Sequence, residues 1–529
     1  MVSTGEPAIG AIVYMTNTDD LATPRAAQEK EDPVARKTKT AQQEPVGHGV
    51  VVKARNGDVI RYDQSGLVMR LSDKVIADIA LRLGTLPAAG VTGPAGATET
   101  QRADPHEYLE GIDAWDVRIA GEWLFFSANL PGKQGVRGFR RLIEGGDIIA
   151  DAPGPLFGIL GIGGPRAAIA TNKKSHFPQH VLAPADDIGA VGHAGIEDAK
   201  QLDTLEHLRE MTHEALVAET FIGWQMDKYE AFPLFMTRVE TDSAATTGAL
   251  ASGKAFDNLI AAAGNLTQAA KRMGKKAKLL CVHLDYSLED TSGDAAAYRD
   301  GMLALMDRAS EALFKLGFDN PVFVSRLESG TAELTDATAI QGQWELGWNH
   351  GAHRLLYSAP SYMFAHDSYD RPTAKARREM AEMTAAAVVE PDTWQCPTFY
   401  LAERSTRDPS VIRMIAHAPS DLLIDDDDPF DAGPSAGFRL LDASDDVTIT
   451  RVSIDENDPL TVLLHLSAAP QADGLRVAYA YGASPREGNF PANCGAIRDH
   501  WSLASATGRD LHRWALPCVL PVTAGGGDA

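Results

Sequence analysis

The chain has 529 residues, 44 % of them hydrophobic and 23 % charged, a globular composition sized for about three or four domains rather than one core. A formal charge of −23 leaves little basic surface for a phosphate backbone, which speaks against a nucleic-acid partner. No apolar run approaches the ~20 residues that a membrane-spanning helix needs, and the N-terminus shows no basic stretch leading into an apolar one. Cys281, Cys396, Cys494 and Cys518 are far apart and form no CxxC pair. That pattern indicates neither zinc nor a disulfide framework, and predicts isolated buried thiols in a chain assembled in a reducing cytoplasm.

Residues 1–45 carry almost no large apolar side chains and read as a polar arm. "GVVVKARNGDVIRYD" alternates around Asn56-Gly57, a hairpin signal. "SDKVIADIALRL" has helical spacing behind Ser72-Asp73, and residues 85–105 are a Gly/Pro-rich linker. From Trp115 to Ala170 short strands are broken by glycine. Gly161-Ile162-Gly163-Gly164 is followed by Pro165 and no helix pattern, so it reads as a buried, tightly turning β segment and not a phosphate loop. His176, His180 and His193 lie in a loop-rich bridge without metal-ligand spacing. Residues 46–200 are therefore expected to form a β-rich attachment section.

The texture changes near residue 201. "DTLEHLREMTHEALVAE" is an amphipathic helix followed by the apolar "TFIGW", and helices then alternate with apolar strands as far as residue 390. That alternation predicts a doubly wound parallel sheet with helices on both faces. Chemistry would sit beyond the carboxyl ends of its strands, at Gly223–Met226, Val239–Ala245, His283–Ser287 and Ser361–Asp370. After Pro391 the period switches to two, as expected of an antiparallel β-sandwich over 391–529.

The stretch "SGKAFDNLIAAAGNLTQAAKRMGKKAKLLCVHLDY", the helix "YRDGMLALMDRASEAL" and the closing "HDSYDRPTAKARREM" resemble the SGNH/GDSL hydrolase superfamily over residues ~215–390. The version they are most similar to is the sialate-O-acetylesterase-like one found in phage-encoded and bacterial polysaccharide-associated proteins. "VAYAYGASPREGNFPANCGAIRDHW" and "HRWALPCVLPV" look like the domain that follows such modules. The resemblance implies four catalytic blocks, and each departs from the family pattern. The serine of the Gly-Gln-Ser turn corresponds to Met226 in Trp224-Gln225-Met226, and a thioether cannot attack an ester. The block that offers a glycine N–H to the oxyanion reads Thr241-Asp242, where a carboxylate would oppose the developing charge. His-Gly-Glu-x-Asp becomes His283-Leu284-Asp285-Tyr286-Ser287, and the closing Asp-x-x-His becomes Asp367-Ser368-Tyr369-Asp370. Four departures imply lost catalysis. A rearranged site with Ser243 as nucleophile, His366 as base and Asp367 as its orienter is the alternative, although neighbours in an extended segment point to opposite sides.

Asp425–Asp428 with Asp431, and Asp455, Glu456 and Asp458, are acidic turns without the calcium-loop pattern. "IQGQWELGWNHG" joins Gln341, Gln343, Trp344, Trp348, Asn349 and His350, a mixture suited to sugar faces and hydroxyls or else to buried packing. Ligand-binding candidates are therefore Gln225, Trp344, Trp348 and Tyr369, with no cofactor and no metal. The resemblance leads to an expected role on a virion surface, as a head spike or tail fibre of a tailed phage. There the chain would partner other virion proteins as a homo-oligomer and bind host polysaccharide without membrane insertion. An active carbohydrate O-acetylesterase is the second reading.

Overall fold

The computed structural model describes residues 49–54, 57–63, 66–69, 108–109 and 111–525, the last range without 195–197, 287–293, 331–337, 370, 445, 471–473 and 483–492. The polar arm, the helix behind Ser72-Asp73 and the linker at 85–105 lie outside the described residues. Two units are present, a small one within Thr16–Ala103 and a large one holding everything from Asp104 onward. In the small unit β1 (Gly49–Ala54) pairs antiparallel with β2 (Gly57–Asp63), so a hairpin falls at the Asn-Gly signal, with Ala54 opposite Gly57 and Gly57 itself in the second strand. A third strand, β3 (Gly66–Met69), pairs antiparallel with β2.

The large unit opens with an antiparallel sheet of β4 (Ala114–Ala120), β5 (Trp123–Asn129), β6 (Val136–Leu142) and β7 (Ile149–Ala150) in sequence order. Its main sheet draws on β8 (Leu156–Gly163), β9 (Val181–Pro184), β10 (Val191–His193), β11 (Leu205–His207), β12 (Leu234–Thr241), β13 (Ala277–Asp285), β14 (Val322–Leu327) and β15 (Arg354–Pro360). The order is β11-β9-β12-β8-β13-β14-β15, with β10 paired to β12. All pairings are parallel except β11 with β9.

This corrects the expected boundary near residue 200. The central strand, β8, comes from the section assigned to attachment. All eight of its residues are buried, which is why "LFGILGIG" reads as a continuous apolar run and not as an alternation.

Among the described residues six helices pack on the sheet: α1 (His213–Asp227), α2 (Thr247–Leu250), α3 (Lys254–Arg272), α4 (Ala295–Lys315), α5 (Thr338–Trp348) and α6 (Ala374–Val389). Side chains of β8 alternate between two cores. Phe157 and Ile159 face the core built by α1 and α6, and Leu156, Leu160 and Ile162 face that of α3 and α4. The doubly wound expectation therefore describes the sheet. The helix expected over residues 203–219 begins only at His213, because Thr212 caps it by accepting from the Ala215 amide. Leu205–His207 instead pair with β9.

Ten strands follow: β16 (Thr398–Arg404), β17 (Val411–His417), β18 (Leu423–Ile424), β19 (Phe438–Leu441), β20 (Ile449–Asp455), β21 (Asp458–Leu466), β22 (Arg476–Tyr479), β23 (Ile497–Ala504), β24 (Asp510–Trp514) and β25 (Cys518–Thr523). Seven of them form one sheet in the order β19-β22-β25-β16-β17-β21-β20, and β18-β23-β24 form a second. Edge strands β19 and β20 approach one another, so the larger sheet curls. This region is not separated from the helical one by a linker. Its core is continuous with that of α1 and α6, and the buried Tyr362 hydroxyl donates to the Ala515 carbonyl at 2.8 Å.

Candidate functional site

In chain order the parallel strands β8, β12, β13, β14 and β15 lie as 2-1-3-4-5. The order reverses between β8 and β13, and the crevice over their carboxyl ends is where such sheets take ligands. Here the two strands are pressed together. A Cβ on Gly163 would come within 2.2 Å of the Asp285 carbonyl oxygen, so only glycine fits the end of β8 without a shift.

A chain of polar side chains fills this end of the sheet. Glu214, in the first turn of α1, reaches over β8 to His283 on β13, with Oε1 3.0 Å from Nδ1. Gly161 makes room for it, since a Cβ there would sit 2.4 Å from the same oxygen. On the other side of the ring Arg326, at the end of β14, lies 3.1 Å from His283 Nε2. Arg326 also holds Asp285 at 2.9 Å, and Arg166 beyond β8 holds Glu328 at 2.9 Å. A guanidinium can only donate, so Nε2 of His283 accepts and Nδ1–H donates to Glu214. The nitrogen that a general base would use is thus already engaged by a cation, and protonating it would set two positive charges in contact.

Two groups near this network are strongly shifted. Burial, followed by electrostatic interaction with the His283 ring and with the Arg326 and Arg377 guanidiniums, lowers His213 well below the ordinary histidine range. Its ring lies against His283 with centroids 4.3 Å apart. Burial opposes ionisation of Asp285, but Arg326, His283 and Arg166 outweigh it and bring the pKa down to about 2. One oxygen, Glu214 Oε2, is buried with no partner among the described residues.

The expected catalytic blocks are only partly brought together. His283 and Asp285 lie in the crevice. Trp224, Gln225 and Met226 do not form a strand-ending turn, because they complete the last turn of α1. Met226 is 12 residues from Glu214, about 18 Å along the helix axis. The apolar "TFIGW" continues the helix, packed between the sheet and α6, and a helix buried on two sides carries no clear polar face. Gln225, only 4 % exposed, is no ligand contact. Asp242 does close β12, but its backbone N–H donates to the Gly163 carbonyl at 3.0 Å, and that of Gly164 to the Asp285 carbonyl at 3.2 Å. Neither amide is left for an oxyanion.

The rearranged triad does not form either. Asp367 is exposed and its Oδ1 accepts from the amides of Tyr369 and Arg371 within its own turn, while His366 is buried. Ser243 is exposed on its loop. Asp370 lies outside the described residues. At this end of the sheet no serine bonds a carboxylate-oriented histidine among the described residues.

A serine–histidine–aspartate contact does occur elsewhere. His353 lies 3.3 Å from Ser310 Oγ and 2.8 Å from Asp307 Oδ1. Ser310 sits in the middle of α4, where backbone amides are spent on helical hydrogen bonds, so no oxyanion donors accompany it.

The aromatic candidates behave differently from the crevice. Trp344 is half-buried, and its Nε1–H donates to the Phe399 carbonyl at 3.0 Å. Trp348, one turn on, is 37 % exposed, and Tyr400 of β16 beside it is 46 % exposed. Their ring centroids lie 5.8 Å apart, and Trp344 and Trp348 are 6.2 Å apart. Trp344 and Trp348 line a cleft of about 340 Å³ between α5, β15 and the start of the β-rich region, with His350, Arg354, Asp392 and Gln395 on its polar side. His350 Nδ1 is buried without a partner among the described residues. Tyr369, 77 % exposed, stands apart from that cleft beside Arg371.

No family model and no curated protein matches the chain. Among solved structures it is similar to a carbohydrate acetylesterase from Xanthomonas citri, 14 % identical, with a TM-score of 0.42 over 73 % of this chain and 84 % of that one. A protein from Arabidopsis thaliana gives 12 % identity and a TM-score of 0.31, and NanS gives 10 % and 0.29. Each of these two alignments covers 45 % of this chain and 98 % of the other.

Among the described residues no group of three or more His, Cys, Asp or Glu side chains is placed to hold a metal ion. In the acidic turn, Asp428 accepts from the amides of Ala432 and Gly433, and Asp425 pairs with Arg498 at 2.6 Å. His176, His180 and His193 go to separate partners: Glu219, the Pro233 carbonyl and Thr241. All four cysteines are buried and none of them is in a disulfide. Sequence reasoning missed Glu214, Arg326 and Tyr400. Glu214 stands two residues after the Thr212 helix cap, and "VSRLES" puts an arginine inside an apolar strand; both are visible signals. Tyr400 faces outward from an ordinary strand and gives none.

Proposed function

We propose that this chain binds carbohydrate and does not hydrolyse it. The observation that carries the reading is the exposed Trp348–Tyr400 pair beside a cleft rimmed by His350, Arg354, Asp392 and Gln395. Flat aromatic faces suit the C–H face of a sugar ring, and a few polar groups at the rim suit its hydroxyls. The crevice supports the second half of the reading, because among the described residues no serine bonds His283, and its acceptor nitrogen is held by Arg326. In this proposal the α/β domain is an esterase-like scaffold kept for its shape. We also propose, from the sequence resemblance to phage-encoded relatives, that the chain is a virion surface protein that repeats around a symmetry axis and binds host polysaccharide. Weak contacts at each copy would then add through effective concentration.

Polysaccharide co-sedimentation tests binding, and incubation with p-nitrophenyl acetate tests hydrolysis. Retention on polysaccharide with no turnover is expected. Turnover that scales with protein would replace the proposal with an active O-acetylesterase. Analytical ultracentrifugation tests the repeated assembly, and a folded monomer at micromolar concentration would remove it.

A further inference from the structure

A second hollow, of about 140 Å³, opens between α1 and the first turn of α6. In a chain of formal charge −23 its walls are mainly basic: Lys173, Lys174, His176, Arg377 and Arg378, with Glu219 at the base. Glu219 is nearly fully buried and compensates part of this set, lying 3.4 Å from His176 Nδ1 and 3.7 Å from Arg378. It also accepts hydrogen bonds from Ser175 Oγ and the His176 amide. Arg377 is different. Its guanidinium donates to the carbonyls of Ile169 and Met211, each at 3.0 Å, and no carboxylate lies within ion-pair distance of it among the described residues. Lys173 and Lys174 likewise have no ion-pair partner among them.

A partly buried guanidinium that bonds carbonyls and has no carboxylate in direct contact is under-compensated, and a bound anion would complete it. We propose that this hollow is a binding site for a compact oxyanion, a carboxylate or sulfate carried by an acidic sugar or a free inorganic anion. Arg377 would supply the fixed charge at the wall, and Lys173 and Lys174 would close over the ligand from the exposed side. Burial lowers the Arg377 pKa, and the charge of Glu214 opposes it only in part. The volume suits a small charged group, whereas the aromatic cleft at about 340 Å³ has room for a sugar ring. The site deepens the carbohydrate reading if the anion belongs to the glycan, and stands without it if the anion is inorganic.

Isothermal titration of the full chain with glucuronate, sodium sulfate, inorganic phosphate and neutral glucose, at fixed ionic strength, tests the site. Binding of at least one anion and not of glucose is expected at this hollow. The Lys173→Gln/Lys174→Gln variant should weaken it about tenfold, and Arg377→Gln further. The lysines are exposed, so the double variant keeps its fold, which circular dichroism checks. Preference for glucuronate assigns the anion to a glycan, and equal binding of sulfate and phosphate assigns it to free anions. No anion binding at millimolar concentration, or binding unchanged in the lysine double variant, overturns the proposal. Polysaccharide retention through Trp348 is read in the same variants, so the carbohydrate proposal stands or falls separately.

Discussion

The carboxyl-end crevice and the aromatic cleft are built from similar materials, histidine, arginine and acid beside apolar walls, yet they end in opposite states. In the crevice Glu214, His283, Arg326 and the partly buried Asp285 bond one another in series, and Glu214 Oε2 is left as their one buried atom without a partner among the described residues. In the cleft Arg354 and Asp392 pair at the open rim, Trp348 and Tyr400 keep large exposed faces, and His350 Nδ1 has no partner among the described residues. A site whose polar groups are spent on each other has little left for a ligand, whereas one that leaves surface unfinished can be completed by one. Position at the topological switch point thus shows where a ligand could sit, and the hydrogen-bond ledger shows whether anything is left to hold it.

The largest effect should come from cutting the crevice network. Arg326→Met leaves Asp285 buried without its cation and should cost about 3–5 kcal/mol in urea unfolding. A loss below about 1 kcal/mol, or the appearance of esterase activity, would mean that the network is not a structural lattice. The aromatic cleft has no buried ion pair of this kind, so Asp392→Asn on its rim should leave stability within about 0.5 kcal/mol.

Acid sharpens the same contrast. His180 is held neutral: burial, the largest cause, takes its pKa down to about 4, with its hydrogen bond to the Pro233 carbonyl opposing and Arg137 adding. Its folded pKa lies below the unfolded value, so the stability is full above about pH 6.5 and is lost as pH falls toward 4. Between pH 7 and pH 5 the loss should be about 2 kcal/mol from this group, and His213 acts in the same direction. Asp285 contributes only below this window, its share being present above about pH 4 and lost toward its pKa of about 2. Unfolding curves at pH 7 and pH 5 that coincide would show that neither histidine is buried neutral.

A smaller cost, about 1–3 kcal/mol, is expected for Gly161→Ala, whose methyl group would displace the Glu214 carboxyl. If Gly161→Ala is neutral, Glu214 does not pack over β8. Smallest in stability, though not in function, is Trp348→Ala. It should cost at most about 1.5 kcal/mol of aromatic contact while reducing polysaccharide retention severalfold.

Much of the fold was legible because strand and helix periods differ. The alternation beyond residue 201 led to a doubly wound sheet, and the period of two after Pro391 led to the β-rich region. What failed was assignment across distance. "LFGILGIG" was legible as buried β, but nothing local says that it inserts between β12 and β13. Without that strand the first crevice turn was sought in "WQM", which is helix. Partners such as Glu214 and His283 are 69 residues apart, and only the folded topology joins them. The exposed turn at Tyr369 and the aromatic pattern of Trp344 and Trp348 were local, and they stood out for that reason. Of the two tryptophans, the half-buried one serves the seam with β16 and the other keeps an exposed face.

Binding at the aromatic cleft and the absence of hydrolysis are read together in one proton NMR experiment on an O-acetylated polysaccharide. On adding the protein, the sugar resonances should broaden while no free acetate signal grows. The broadening should vanish with the Trp348→Ala/Tyr400→Ala variant. Acetate released in proportion to protein, or broadening that survives in the double variant, would contradict the account.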